Sequence, residues 1–135
     1  MAIHLEIVTP EKSAYSEQVD HVVIPGTEGE MDVYPKHAPM MFMIKPGELR
    51  ATIAGNTVEL AVGEGFVEIT GSSITILTDV ALTADQIDEG TVEEALARAK
   101  EALKARTGDS DEAAALQATI EKSVAQLMIK RRRRS

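Results

Sequence analysis

With 135 residues, the chain has room for one domain and a small appended element. An apolar fraction of 44% argues against disorder, no apolar run reaches the roughly 18 residues that span a membrane, and the lack of cysteine excludes disulfides, thiolate catalysis and Cys-based metal sites. The net charge of −8 is uneven: residues 1–86 hold 13 acids against 4 Lys/Arg, whereas residues 87–135 hold 9 acids against 10 Lys/Arg.

The N-terminus, Met1-Ala2-Ile3-His4-Leu5-Glu6, has no basic stretch followed by an apolar one. No export signal is therefore expected, and the expected compartment is cytosolic. From Ile3 the apolar residues recur with period two, as in half-buried strands. Ile3, Leu5 and Ile7 alternate with His4, Glu6 and Val8. A turn-rich stretch follows, "IPGTEGEMDVYPKHAPM" (24–40), with Pro46-Gly47 shortly after it. Gly55-Asn56 then joins "ELRATIA" to "TVELAV", and Gly71-Ser72 joins "FVEIT" to "ITILT", both as hairpins. Short strands punctuated this often predict an antiparallel sandwich or barrel over residues 1–86.

Beyond residue 86 the period becomes helical. Val92, Ala95, Leu96, Ala99, Ala102 and Leu103 make one apolar stripe, and Thr91-x-x-Glu94 has the spacing of a capping box. Thr107-Gly108 is the expected stop, with Lys104 and Arg106 placed against the helix dipole. Asp109-x-x-Glu112 is the expected start of a second helix, with the stripe Ala113, Leu116, Ile120, Val124, Leu127 and Met128. Residues 87–135 thus read as an antiparallel helical hairpin, and the whole as α+β, mainly β: a sandwich followed by a helix-turn-helix. Alanine favours helix but buries little area, so each helix should hold its shape while its grip on the sandwich stays modest.

A search for chemistry finds little. Phosphate-binding and dinucleotide-binding glycine loops are absent, as is a G-x-S-x-G nucleophile elbow. His4, His21 and His37 show no metal-ligand spacing, so neither a metal site nor a catalytic residue is expected. The basic run Lys130, Arg131, Arg132, Arg133 and Arg134 invites a nucleic-acid reading, but the acidic body and 3% aromatic content oppose it.

Ile24-Pro25-Gly26, Gly29, Tyr34-Pro35-Lys36-His37-Ala38-Pro39 and Ile44-Lys45-Pro46-Gly47 form a series that resembles the F-type ATP synthase epsilon subunit family. The likeness continues through Gly65-Phe66-Val67-Glu68-Ile69, Ile74 to Asp79, and Ala84 to Asp88. That resemblance implies a β-sandwich with a helical hairpin, in a non-catalytic subunit of the rotor's central stalk at the cytoplasmic face of the membrane. It implies that the sandwich binds the gamma subunit and the c-ring, with Glu30, His37, Ala38 and Pro39 in the docking loop. It also implies that the hairpin lies folded on the sandwich or extends into the catalytic head, where it suppresses ATP hydrolysis. Lys130 to Arg134 would then meet an acidic segment of the beta subunit, beside alpha.

Two departures from the family pattern bear on these expectations. Asp32 stands where many relatives carry glycine, and Lys36 where glycine or asparagine is common, so the docking loop's backbone is expected to differ from theirs. Ile87-Asp88-Glu89-Gly90-Thr91-Val92 replaces the arginine and alanine of the family's ATP motif with Thr91 and Val92. Without that guanidinium, ATP binding is expected to be weak or absent, no cofactor is expected, and Thr91 reads as a helix cap. The isolated chain is expected to be monomeric. Two other readings stay open: a free-standing adaptor binding an acidic partner, and a small-molecule enzyme on a β-sandwich.

Overall fold

The structure is a computed structural model describing residues 2–105 and 110–134, with Ser110, Arg133 and Arg134 described by backbone only. The expected stop Thr107-Gly108, Arg106 before it and the expected cap Asp109 lie outside the described residues. Ten strands come first: β1 (Ile3–Val8), β2 (Ser13–Val19), β3 (His21–Gly26), β4 (Gly29–Val33), β5 (Met40–Ile44), β6 (Gly47–Ile53), β7 (Asn56–Val62), β8 (Gly65–Ile69), β9 (Ser73–Thr78) and β10 (Ala81–Leu82). A single 3-10 turn at Ala84–Gln86 leads into α1 (Glu89–Ala105) and α2 (Ser110–Arg134).

The period-two patterning does what a half-buried strand requires: in β1, Ile3, Leu5 and Ile7 are fully buried while their neighbours are not. The strands join in the order β10-β7-β6-β3-β5-β8-β9-β1-β2, with β4 added to β3. One buried cluster unites Leu5 of β1, Ile24 of β3, Leu49 of β6, Leu60 of β7 and Ile76 of β9, so the sheet folds over on itself around a common interior. The fold is the expected sandwich and helical pair, with one correction to its antiparallel character: β1 lies parallel to β9. No hairpin ties these two strands, and the long chain between them supplies the crossover that a parallel pair needs.

Local chemistry explains the β6–β7 hairpin. Ala54 and Gly55 occupy its two-residue turn with φ of 51° and 83°, the positive values of a type I′ turn. The turn thus sits one residue earlier than Gly55-Asn56, because Asn56 already pairs with Ile53. Asp20 Oδ2 accepts the Ala54 N–H at 2.8 Å and helps hold the strained residue.

The helical pair needs two further corrections. Thr91 is not the cap of α1. Asp88 is: its carbonyl accepts the Val92 N–H at 3.0 Å, and its Oδ1 accepts the Thr91 N–H at 3.3 Å. An ionised aspartate is the better acceptor at the positive end of a helix, and extended Ile87 delivers the chain to it. In α2, Val124 and Met128 lie outside the packed surface at 39% and 58% exposure, whereas Ile129 is fully buried. The helix is clasped on two sides, by α1 and by β6 and β7, so no single stripe describes it. Leu127 and Ile129 join Ala61, Ala84, Ile87 and Val92 in a second, smaller apolar cluster that fastens the hairpin to the sandwich.

Candidate functional site

The turn-rich stretch forms the β3–β4 hairpin and the connection from β4 to β5. Pro25 and Gly26 are buried in β3, paired with Glu30 and Gly29 across the hairpin. Glu30 points outward with its side chain 60% exposed, and its Oε2 lies 3.5 Å from Arg50 Nη1. His37, Ala38 and Pro39 lie in the connection, where His37 Nδ1 donates to the Ala38 carbonyl at 2.7 Å and fixes the ring against its own backbone. Lys36 adopts φ of 67°, so a residue with a side chain takes up the left-handed turn that glycine or asparagine would favour. Its N–H donates to Gly71 O at 3.2 Å, which anchors the connection to the β8–β9 hairpin.

The structure does not bring Glu30 and His37 together. Through Gly26, Glu30 lies toward the Ile44 end of β5, whereas His37 precedes Met40 at the other end. The length of β5, about 14 Å at the usual strand rise, stands between them. Asp32 instead enters a cluster that spacing did not reveal. Its Oδ1 lies 2.9 Å from His21 Nδ1, its Oδ2 accepts from Tyr34 Oη at 3.3 Å, and the His21 and Tyr34 rings stack at 4.7 Å. The Asp32 charge raises the Tyr34 phenol above its ordinary pKa, with desolvation and the hydrogen bond adding to it.

A second surface carries an apolar row. Met43 of β5, Phe66 of β8 and Leu77 of β9 are direct cross-strand neighbours, and each is half exposed. Met41, on the same face, is 67% exposed, and Val8 continues the row on β1. The signal was present in the sequence, since "MMFMI" is apolar on both faces of its strand where a solvated face would alternate.

The basic end of α2 is engaged within the chain. Lys130 Nζ donates to Ala84 O at 3.1 Å, capping the 3-10 turn. Arg131 Nε donates to Glu89 Oε2 at 2.8 Å, and its Nη2 lies 3.5 Å from Glu93 Oε1. Arg132 pairs with both Glu48 and Glu59 of the sandwich. Burial pushes the Glu48 carboxyl up, but the hydrogen bonds from Arg132 and the charges of Arg132 and Arg50 outweigh it and leave the pKa below the ordinary value. The side chains of Arg133 and Arg134 lie outside the described residues.

Thr91 and Val92 line a groove of about 300 Å³ between α1, α2 and Val80. Its charged lining group is Lys122, whose Nζ lies 2.8 Å from Asp79 Oδ2. Among the described residues no helix is long and apolar enough to cross a membrane, and no three potential ligands converge to hold a metal ion.

Together these elements define a β-sandwich with a helical pair folded against it. The sequence profile described as "ATP synthase, Delta/Epsilon chain, beta-sandwich domain" matches residues 2–84. The ATP synthase epsilon chain of Laribacter hongkongensis is 41% identical over 127 residues, 93% of this chain and 90% of the relative. That of Herpetosiphon aurantiacus is 39% identical over 131 residues, 94% and 96% of the two chains. The chain belongs to the ATP synthase epsilon chain family. In fold it is similar to a chain of the Euglena gracilis mitochondrial ATP synthase, at a TM-score of 0.76 and 21% identity, covering 92% of this chain and 78% of that one. A chain of the Tetrahymena thermophila enzyme's central stalk and c-ring gives 0.58 at 12% identity, covering 100% and 98%.

Proposed function

We propose that the chain is the non-catalytic central-stalk subunit that couples ion-driven c-ring rotation to ATP synthesis in the catalytic head, at the cytoplasmic face of the cell membrane. Residues 1–86 form the docking body, and residues 87–135 form a regulatory hairpin. The observation that carries this reading is the row Met43–Phe66–Leu77, a contiguous exposed apolar patch of the kind that marks a protein–protein contact. It is the surface for the gamma subunit. Glu30 supplies a polar contact for the c-ring, and His37, Ala38 and Pro39 a second, separate one. Prolines and paired glycines preorganise this region, which lowers the entropy lost on docking.

The hairpin is folded here, and three of its basic residues are held by groups of the same chain. Release would free Lys130 to Arg134 for the beta subunit and suppress ATP hydrolysis. Affinity purification of the assembled enzyme tests the docking reading: gamma, alpha and beta should co-purify with the chain, and Phe66→Glu should abolish their recovery. Recovery of none of them with the unaltered chain overturns it. Deleting the residues after Ile87 should raise ATP hydrolysis and leave synthesis coupled. Unchanged hydrolysis would remove the inhibitory role. For nucleotide, titration calorimetry of the chain with ATP should detect weak binding or none.

A further inference from the structure

Five side chains of alternating charge run from the β3–β4 hairpin to the end of α2 and back to β7. Arg50 Nη1 lies 3.5 Å from Glu30 Oε2 and 3.6 Å from Glu48 Oε1. That Glu48 oxygen also accepts from Arg132 Nη1 at 3.3 Å, and Arg132 reaches Glu59 Oε2 at 3.1 Å. Glu59 stands directly opposite Arg50 in the β6–β7 register. Arg50 and Arg132 therefore share the Glu48 carboxylate, and Glu48 and Glu59 are the shielded members of the chain at 13% and 19% side-chain exposure. Glu30, far more exposed, is a third acid and occupies Arg50 from the outside.

This sharing sets the sign of any coupling. Both contacts of Arg50 are long, so neither Glu30 nor Glu48 holds it fully. With Glu30 withdrawn, Arg50 moves onto Glu48 Oε1, one of the two Glu48 oxygens that Arg132 holds, and repels Arg132 as a like charge. We propose that this chain of charges couples the docking loop to the hairpin, so that a cationic side chain of a docking partner, by engaging Glu30, loosens the fastening of α2. By linkage, a released hairpin binds that cation more tightly. The groove beside it, about 480 Å³ between Glu30 and Arg50 on one wall and Val124 and Met128 on the other, admits water and salt. The coupling is therefore of surface strength, a two- to threefold shift in the opening equilibrium. That a partner docks on Glu30 rests on the function proposed above. The charge chain does not.

The test uses the full chain. Because it has no cysteine, Ser72→Cys and Ala115→Cys accept a donor and an acceptor dye at two exposed positions, one on the sandwich and one on α2. Energy transfer then reports hairpin opening. Glu30→Gln should raise the open fraction about two- to threefold, and Glu30→Lys should raise it further. In an Arg132→Gln background, opening should start higher and both Glu30 effects should vanish. Equal Glu30 effects with and without Arg132, or none at all, overturn the proposal. The docking reading fails on a different result, the loss of gamma, alpha and beta from the purified assembly.

Discussion

Ile129→Ala isolates the energy that holds the hairpin closed. Ile129 is fully buried in the small cluster between α2 and the sandwich, against Ala61, Ala84 and Ile87, and takes no part in the sandwich's own core. Truncation to alanine removes three carbons, worth about 2.4 kcal/mol at about 0.8 kcal/mol each, before any term for the cavity left behind. The loss falls on closure of the hairpin, so the opening equilibrium should rise about 50-fold. Hydrogen exchange of α2 amides should speed up by that factor while exchange in β1, β3 and β9 stays unchanged. Met128→Ala, one residue earlier and 58% exposed, should change opening less than about twofold. Equal effects of the two substitutions would refute the two-cluster account, as would equal acceleration in the sandwich strands. In the assembled enzyme Ile129→Ala should lower ATP hydrolysis, the opposite of deleting the hairpin, because an opened hairpin is present to inhibit.

The Glu48 carboxyl has a folded pKa depressed below its ordinary value of 4.5, so its contribution to closure is complete above that pH. It is lost as pH falls through the depressed value, and exchange of α2 amides should accelerate on acidification below about 4.5, less so in Glu48→Gln. Tyr15→Phe should stabilise the sandwich by up to about 1 kcal/mol in denaturant melts, since the buried Tyr15 hydroxyl has no hydrogen-bond partner among the described residues. A loss of stability would mean that the hydroxyl is satisfied. Gly65→Ala should cost about 3 kcal/mol or more, because a Cβ there would overlap the Leu77 carbonyl in the paired strand β9. A melt within about 1 kcal/mol of the unaltered chain would show that β8 and β9 separate more easily than the register implies.

Legibility tracked the range of the interaction. Burial of Ile3, Leu5, Ile7, Ile74 and Ile76 was readable because period two needs no knowledge of the partner strand. The parallel placement of β1 beside β9 was not readable, because no local turn encodes it. At the start of α1, Asp88 and Thr91 both satisfy the residue preferences of a cap, and the extended conformation of Ile87 together with the stronger acceptor on Asp88 decides between them. On α2 the single-stripe reading selected Met128 and passed over Ile129, because a helix packed on two sides leaves its exposed strip between two buried arcs. The charge asymmetry between an acidic body and a basic end was visible in the composition. Its consequence, Arg132 held by Glu48 from 84 residues away, was not.

These two kinds of contact divide the molecule by strength. The sandwich interior is built mainly from branched side chains such as Ile24, Leu49 and Leu60, taken from strands β1 to β9, and no one substitution there acts on closure alone. The hairpin is fastened by six residues, two of them alanines, and by ion pairs whose arginines are about half exposed. Apolar contact of that extent contributes a few kcal/mol, while partly exposed pairs contribute roughly 1 kcal/mol or less each and weaken with salt. Closure is thus strong enough to set the folded form and weak enough for competing charges to shift it. A hairpin fastened by a leucine-rich stripe would stay closed whatever occupied Glu30. This one can respond.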